Sequence, residues 1–308
     1  MTLEQMSFFS DADPLLDQAE EVLKSLDFKG AEALYKQAKL LDPWISNIDS
    51  MLNICDFLKD QFDQTSEITS FLGSVWMAIP RAVEKKQLHL SEVPIVEEQM
   101  SRMACQYIPD IGIYIDQDER FHWGNVYMQM KKYPEAHKHI LESLYSGYGE
   151  RADLWSYYGD VCYGLNRKRE AEGAYARALL IDPYRIDYFR MLHPDIKRQL
   201  QALYGEMEKD SAQAILLFNS WRAGCIFIPR RSLEDTEDTK ILDALLEKHP
   251  KNEPERLHLF STCLYYDQIR PQNHVNYEIR EKMKNLDSDR FDQFIEILQS
   301  RENQTRLF

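Results

Sequence analysis

The chain has 308 residues, of which 44% are hydrophobic and 29% charged, with only 11 Gly and 12 Pro. It is long enough for one large domain or two ordinary ones, and the composition excludes a disordered chain, a collagen-like chain and a sandwich of many short strands. With 37 basic and 51 acidic side chains the net charge is −14, so neither nucleic acid nor anionic lipid is an expected partner.

Residues 1–10 lack the basic start and apolar stretch of a signal peptide, and Asp11, Asp13 and Asp17 follow at once. No apolar run approaches the roughly 18–20 residues that cross a bilayer. The five cysteines, at 55, 105, 162, 225 and 263, include no CxxC pair and are expected as reduced thiols. A cytoplasmic protein without membrane insertion, cofactor or metal is the expectation.

In chain order, Asp13 before Pro14 marks the start of a first helix, Asp13 serving as cap. The segment from Asp13 to Pro43 carries Ala19, Ala31, Tyr35, Ala38 and Pro43 as anchors of two antiparallel helices. Ile48, Leu52, Cys55, Leu58 and Phe62 form the next helical stripe, and Ser66 to Ile79 forms another that ends before Pro80. A degenerate pair is expected near 82–90 and 95–107, and 109–116 reads as an extended interruption. A weaker copy of the first hairpin follows, with Trp123, Gly124, Ala136, Ile140 and Ser143 at the anchor places. From Asp153 to Pro183 the copy is closest, with Trp155, Gly159, Ala171, Tyr175, Ala178 and Pro183. Helices are then expected over 195–207 and 211–227, a polar linker over 229–238, and four helices near 240–248, 255–270, 275–285 and 290–300, the last capped by Ser288.

From Gly159 the anchor gaps are 12, 4, 3 and 5, and the segment from Asp13 to Pro43 reproduces them with Ala19 in the glycine place. A small residue in the first helix lets the second approach, Ala171 returns the favour, and Tyr175 fills the wider space. Pro183 then stops the second helix. With these anchors the chain resembles the tetratricopeptide repeat family. Over about a third of its length the likeness is clear, with Tyr158 and Cys162 departing from the family's Leu and Tyr.

The resemblance implies an all-α, right-handed superhelical solenoid of antiparallel helix pairs with degenerate terminal hairpins. Ala19 lies 105 residues before Gly124, three times the 35 that separate Gly124 from Gly159, which leaves room for two further hairpins. The organisation read from this is N-terminal hairpins over 1–116, central repeats over 117–228 and a C-terminal cap over 229–308.

Family members that bind peptides use the concave wall formed by the first helices. Carried over, that wall is Phe121, Asn125, Met128 and Gln129 in the middle copy and Asp153, Ser156, Asp160 and Tyr163 in the next, with Leu16, Glu20 and Leu23 in the first. Phe121 stands where a terminal-carboxylate clamp has Lys, so that clamp is not expected. Lys131 and Lys132, and Arg167, Lys168 and Arg169, recur in equivalent turns as a basic edge, where they also complement helix C-termini.

No P-loop, GxGxxG, GxSxG or HExxH sequence is present, and His137 with His139 point to different helix faces. The expected function is a noncatalytic scaffold or adaptor that holds a partner peptide or helix. The alternative is a self-assembling or regulatory subunit, with an enzyme a minor third reading. Residues 1–116 hold nine basic and twenty acidic side chains, a net charge of −11, which points to a basic protein partner for that part.

Overall fold

The computed structural model describes residues 12–65, 67–109, 112–229, 237–269 and 276–305. Fifteen α-helices make up most of the described residues' regular structure, and their only β pairing is an antiparallel bridge between Tyr114 and His122. Among the described residues no helix is long and apolar enough to cross a membrane. All five cysteines are free, and burial pushes the thiols of Cys55 and Cys263 up to about 12.

Packing divides the chain into two compact units, Met1–Ala136 and His137–Phe308. Within the second unit, described helices on both sides of 229 share a core. Phe218 meets Phe260 at 5.3 Å and Trp221 meets Phe294 at 5.6 Å.

The first unit holds α1 (Asp13–Lys24), α2 (Phe28–Leu41), α3 (Ile48–Phe62), α4 (Ile68–Glu84), α5 (Val93–Tyr107), α6 (Trp123–Gln129) and the start of α7 (Tyr133–Ser143). Its first helix begins at Asp13 itself, with Ala12 in the cap position and Pro14 in the first turn. Phe28, Phe62 and Phe71 from α2, α3 and α4 form a triangle with ring centroids 5.2 to 5.7 Å apart.

Two sequence expectations change here. Helix α4 runs through Pro80 to Glu84, because its apolar stripe continues with Ala82 and the buried face outweighs the ~3 kcal/mol cost of an interior proline. Residues 82–90 therefore form no separate helix, and α5 stands without a degenerate partner. The interruption after Pro109 is non-helical over its described residues, while 110–111 lie outside them.

In the second unit, α7 ends in a wide turn over Leu144–Tyr148. Then come α8 (Ala152–Gly164), α9 (Lys168–Ile181), a 3-10 turn over Pro183–Arg185, α10 (Pro194–Tyr204) and α11 (Lys209–Arg222). An irregular stretch to Pro229 precedes α12 (Glu237–Leu246), α13 (Glu253–Ile269), α14 (Tyr277–Leu286) and α15 (Ser288–Thr305). The expected linker falls largely on 230–236, outside the described residues, as does Arg270 and Val275 at the ends of two expected helices. The cap of α15 is Asp287, whose carboxylate accepts from the Arg290 amide at 3.1 Å, one residue before the expected Ser288.

The copies found in the sequence share their local backbone. Leu26, Lys131 and Asn166, each between the two helices of a copy, are left-handed with φ of 67°, 57° and 59°. In each, the next amide reaches back five residues, Asp27 to Val22, Lys132 to Tyr127 and Arg167 to Cys162, at 2.8 to 3.2 Å. This is the closure expected where a helix ends in a left-handed residue. At the second-helix ends, Asp42 and Asp182 accept from the amides of Trp44 and Tyr184, both at 3.0 Å. The prolines at 43 and 183 thus sit inside identical aspartate-capped turns.

Candidate partner-binding surfaces

The close approach read from Gly159 is present. A β-carbon there would lie 2.7 Å from the Tyr175 ring, and Tyr175 is fully buried. Tyr175 donates its hydroxyl to Asp160 at 2.5 Å, and the Leu192 amide donates to the same oxygen at 2.6 Å. The stretch between the 3-10 turn and α10 therefore lies across the α8 face that carries Asp160. Tyr163 on that face lies against the His193 ring at 5.4 Å, tilted by 50°, and His193 caps α10.

Of the eight residues assigned to a concave wall, Phe121, Asn125, Ser156 and Asp160 are buried. Phe121 packs on Trp76 at 4.8 Å, and its amide donates to Asp116. Asn125 closes a capping box at the start of α6: its side chain accepts from the His122 amide at 3.1 Å, while His122 accepts from Gly124. These four side chains are buried within the framework in this conformation. Met128, Gln129, Asp153 and Tyr163 are half-buried, and Asp153 is held by Arg151 at 2.7 Å.

Asp160 has a measurable consequence. Burial pushes its carboxyl up to about 7 from the usual 3.8, against the two hydrogen bonds that lower it. Between those values the folded chain keeps a proton that the unfolded chain has released, so this group's contribution to stability falls as pH rises. His137, His193 and His258 are pulled below their usual value by burial and act in the opposite sense below about 6.5. Asp160→Asn keeps an acceptor for both donors and removes the titration. Its stability relative to wild type is expected to rise from about pH 5 to pH 8, read by thermal melts across that range.

All five residues of the expected basic edge are exposed. Arg167, Lys168 and Arg169 have three different surroundings. Arg167 lies 3.2 Å from His137 Nε2 and 3.5 Å from Glu170. Lys168 faces Glu172 at 3.9 Å, and Arg169 lies over the Phe227 ring at 5.9 Å. The Arg167 corner also brings His137, Cys162 and Glu170 together, one ligand atom from each lying within 4.8 Å of the others. The guanidinium already supplies positive charge there, and burial pushes the Cys162 thiol up to about 11, so a hydrogen-bonded cluster accounts for the arrangement.

Arg169 leads instead to an open groove of about 300 Å³ in the second unit. Trp155 and Tyr158 of α8 form its floor, Arg169 and Arg177 of α9 one side, and Phe227 and Tyr145 its rims. Trp155 is fixed by donating its indole N–H to the Gly149 carbonyl at 2.8 Å, and Arg177 stacks on its face at 4.1 Å. Tyr145 is 84% and Phe227 44% exposed. Neither a scan against protein-family models nor a search of the curated proteins finds a match to this chain.

Sequence reading had placed Trp155 as a packing anchor and Arg169 on an edge, but not Tyr145, Arg177 or Phe227. No local pattern joins them. Phe227 arrives from beyond α11, and its position depends on the irregular stretch passing α9, where Pro229 lies 3.8 Å from the place a Gly173 β-carbon would take.

Proposed function

We propose that the chain is a noncatalytic protein-interaction scaffold of the tetratricopeptide type, a right-handed superhelical solenoid of antiparallel helix pairs with degenerate terminal hairpins. Support for the repeat reading comes from the matching left-handed closures after α1, α6 and α8 and the matching aspartate turns after α2 and α9. The observation that carries the binding role is the groove over Trp155, where flat apolar surface is presented beside two guanidinium groups. Aromatic and arginine side chains of this kind dominate protein interfaces, because they offer large contact area with few rotatable bonds.

A partner segment lying in the groove would place an apolar side chain over Trp155 and Tyr158 and direct carboxylate or carbonyl oxygens to Arg169 and Arg177. Tyr145→Ala with Phe227→Ala removes the exposed rims without opening the core. Co-purification followed by photo-crosslinking from position 141, which also lines the groove, identifies the bound chain. The double variant is expected to lose about 90% or more of that capture, corresponding to at least ~1.4 kcal/mol, while its melting temperature stays within a few degrees. Undiminished capture by the double variant overturns the assignment of the groove.

A further inference from the structure

The first unit contains a cleft whose charge runs against its surroundings. Residues 1–116 carry a net charge of −11, yet three of their nine basic side chains, Arg81, Lys85 and Lys86, fall within six residues at the end of α4. Arg81 and Lys85 are four apart on one helix face, an arrangement that costs a few tenths of a kcal/mol in isolation. Both are exposed.

They line an open cleft of about 560 Å³ between α3 and α4, and among the described residues no carboxylate lines it. Across from them α3 and the turn after it contribute Gln61 and Gln64, and Arg120 closes one side. Arg120 is held in place: its Nε donates to the buried Asp116 at 2.6 Å, and Asp118 lies 2.9 Å from its Nη2. On the floor, Met77 is 58% exposed beside nearly buried Phe57. The cleft thus offers two flexible cations, amides that both donate and accept, and a soft apolar seat.

We propose that this cleft binds an acidic peptide segment of a partner protein, with an apolar side chain on Met77 and carboxylates at Arg81 and Lys85. A nucleic acid strand has the charge for two of these contacts, but it would have to lie along a unit whose remaining side chains strongly repel it. Single carboxylates spaced along a peptide avoid that cost, and the glutamines suit a peptide backbone. The overall acidity of residues 1–116 and this local basic cleft therefore select different partners. This surface is independent of the groove in the second unit.

The test uses the full chain and three fluorescein-labelled probes: a short peptide of Glu and Leu, its Lys and Leu counterpart, and a single-stranded oligonucleotide. Fluorescence anisotropy is expected to show saturable binding of the Glu peptide alone. Arg81→Glu with Lys85→Glu should weaken it at least about tenfold, and Met77→Ser about threefold. Raising salt from about 0.05 to 0.5 M should weaken it by a similar margin to the charge reversal. Both basic positions are exposed, and circular dichroism confirms that each variant is folded. Should charge reversal prevent folding, Arg81→Gln with Lys85→Gln replaces it, with the same direction expected. Absent or equal binding of the Glu peptide to wild type and charge-reversed chain overturns the proposal. Tighter binding of the oligonucleotide overturns it in favour of nucleic acid. A chain that self-associates until the charge is reversed, and does not take up the Glu peptide, overturns it in favour of a second copy.

Discussion

Gly159→Ala is expected to destabilise the second unit by about 2 kcal/mol or more, although alanine is the better helix former by about 1 kcal/mol. The new methyl would fall 2.7 Å from one carbon of the Tyr175 ring and 2.8 and 2.9 Å from two others. The ring has nowhere to go. It is fully buried, and its hydroxyl is tied to Asp160, which also holds the Leu192 amide. Shifting Tyr175 therefore loosens the stretch that covers α8 as well as the α8–α9 contact. Denaturant unfolding followed through Trp155 and Trp221 reads the second unit, with hydrogen exchange to separate it from the first. The equivalent place in the first hairpin already holds Ala19, fully buried, so the closer approach belongs to the α8–α9 pair. A midpoint for Gly159→Ala equal to that of wild type would show that Tyr175 has room to move.

For the first unit, the corresponding expectation is that Gly73→Ala costs about 2–3 kcal/mol. A β-carbon at Gly73 would collide with the Asp116 carboxylate, whose Cγ would be 2.6 Å away, and with Arg120 Nη2 at 2.9 Å. Asp116 accepts from the Arg120 and Phe121 amides at 2.9 and 2.8 Å, and this anchors the loop that leads into α6. Displacing it leaves those donors unpaired, at about 1–3 kcal/mol for each one that stays buried. The coupling has a sign that can be read directly. In an Asp116→Ala background the obstacle is gone, so Gly73→Ala should become neutral or stabilising by up to about 1 kcal/mol. Additive losses in the double variant would show that the glycine is needed for another reason.

These two glycines illustrate how legible the fold was. Gly159 stood in a repeated spacing, and the spacing pointed to the ring that it admits. Gly73 stood in an apolar helix with no pattern around it, because its neighbour Asp116 comes from a loop 43 residues later. The same contrast holds for the candidate surfaces. The wall at Phe121, Asn125, Ser156 and Asp160 was carried over from a family in which such positions face a groove. Here Phe121 packs on Trp76, Asn125 closes a cap, and Asp160 holds the covering stretch. Arg167, Lys168 and Arg169 are consecutive, and successive helical positions turn by about 100°, which separates their surroundings.

By itself the sequence determined that the chain is helical, where most helices begin and end, and that three pieces share one hairpin plan. Those properties rest on spacing within a few dozen residues: small residues where helices touch, an aromatic that fills the wider space, and proline after the second helix. Tertiary structure alone decided that residues beyond Pro229 share the core of α9 and α11, that α4 continues through Pro80, and which polar side chains remain available to a partner. The physical reason is that burial is set by whatever packs across a helix face. For Asp160, Phe227 and Arg120 that neighbour lies in an irregular stretch with no periodicity to reveal it.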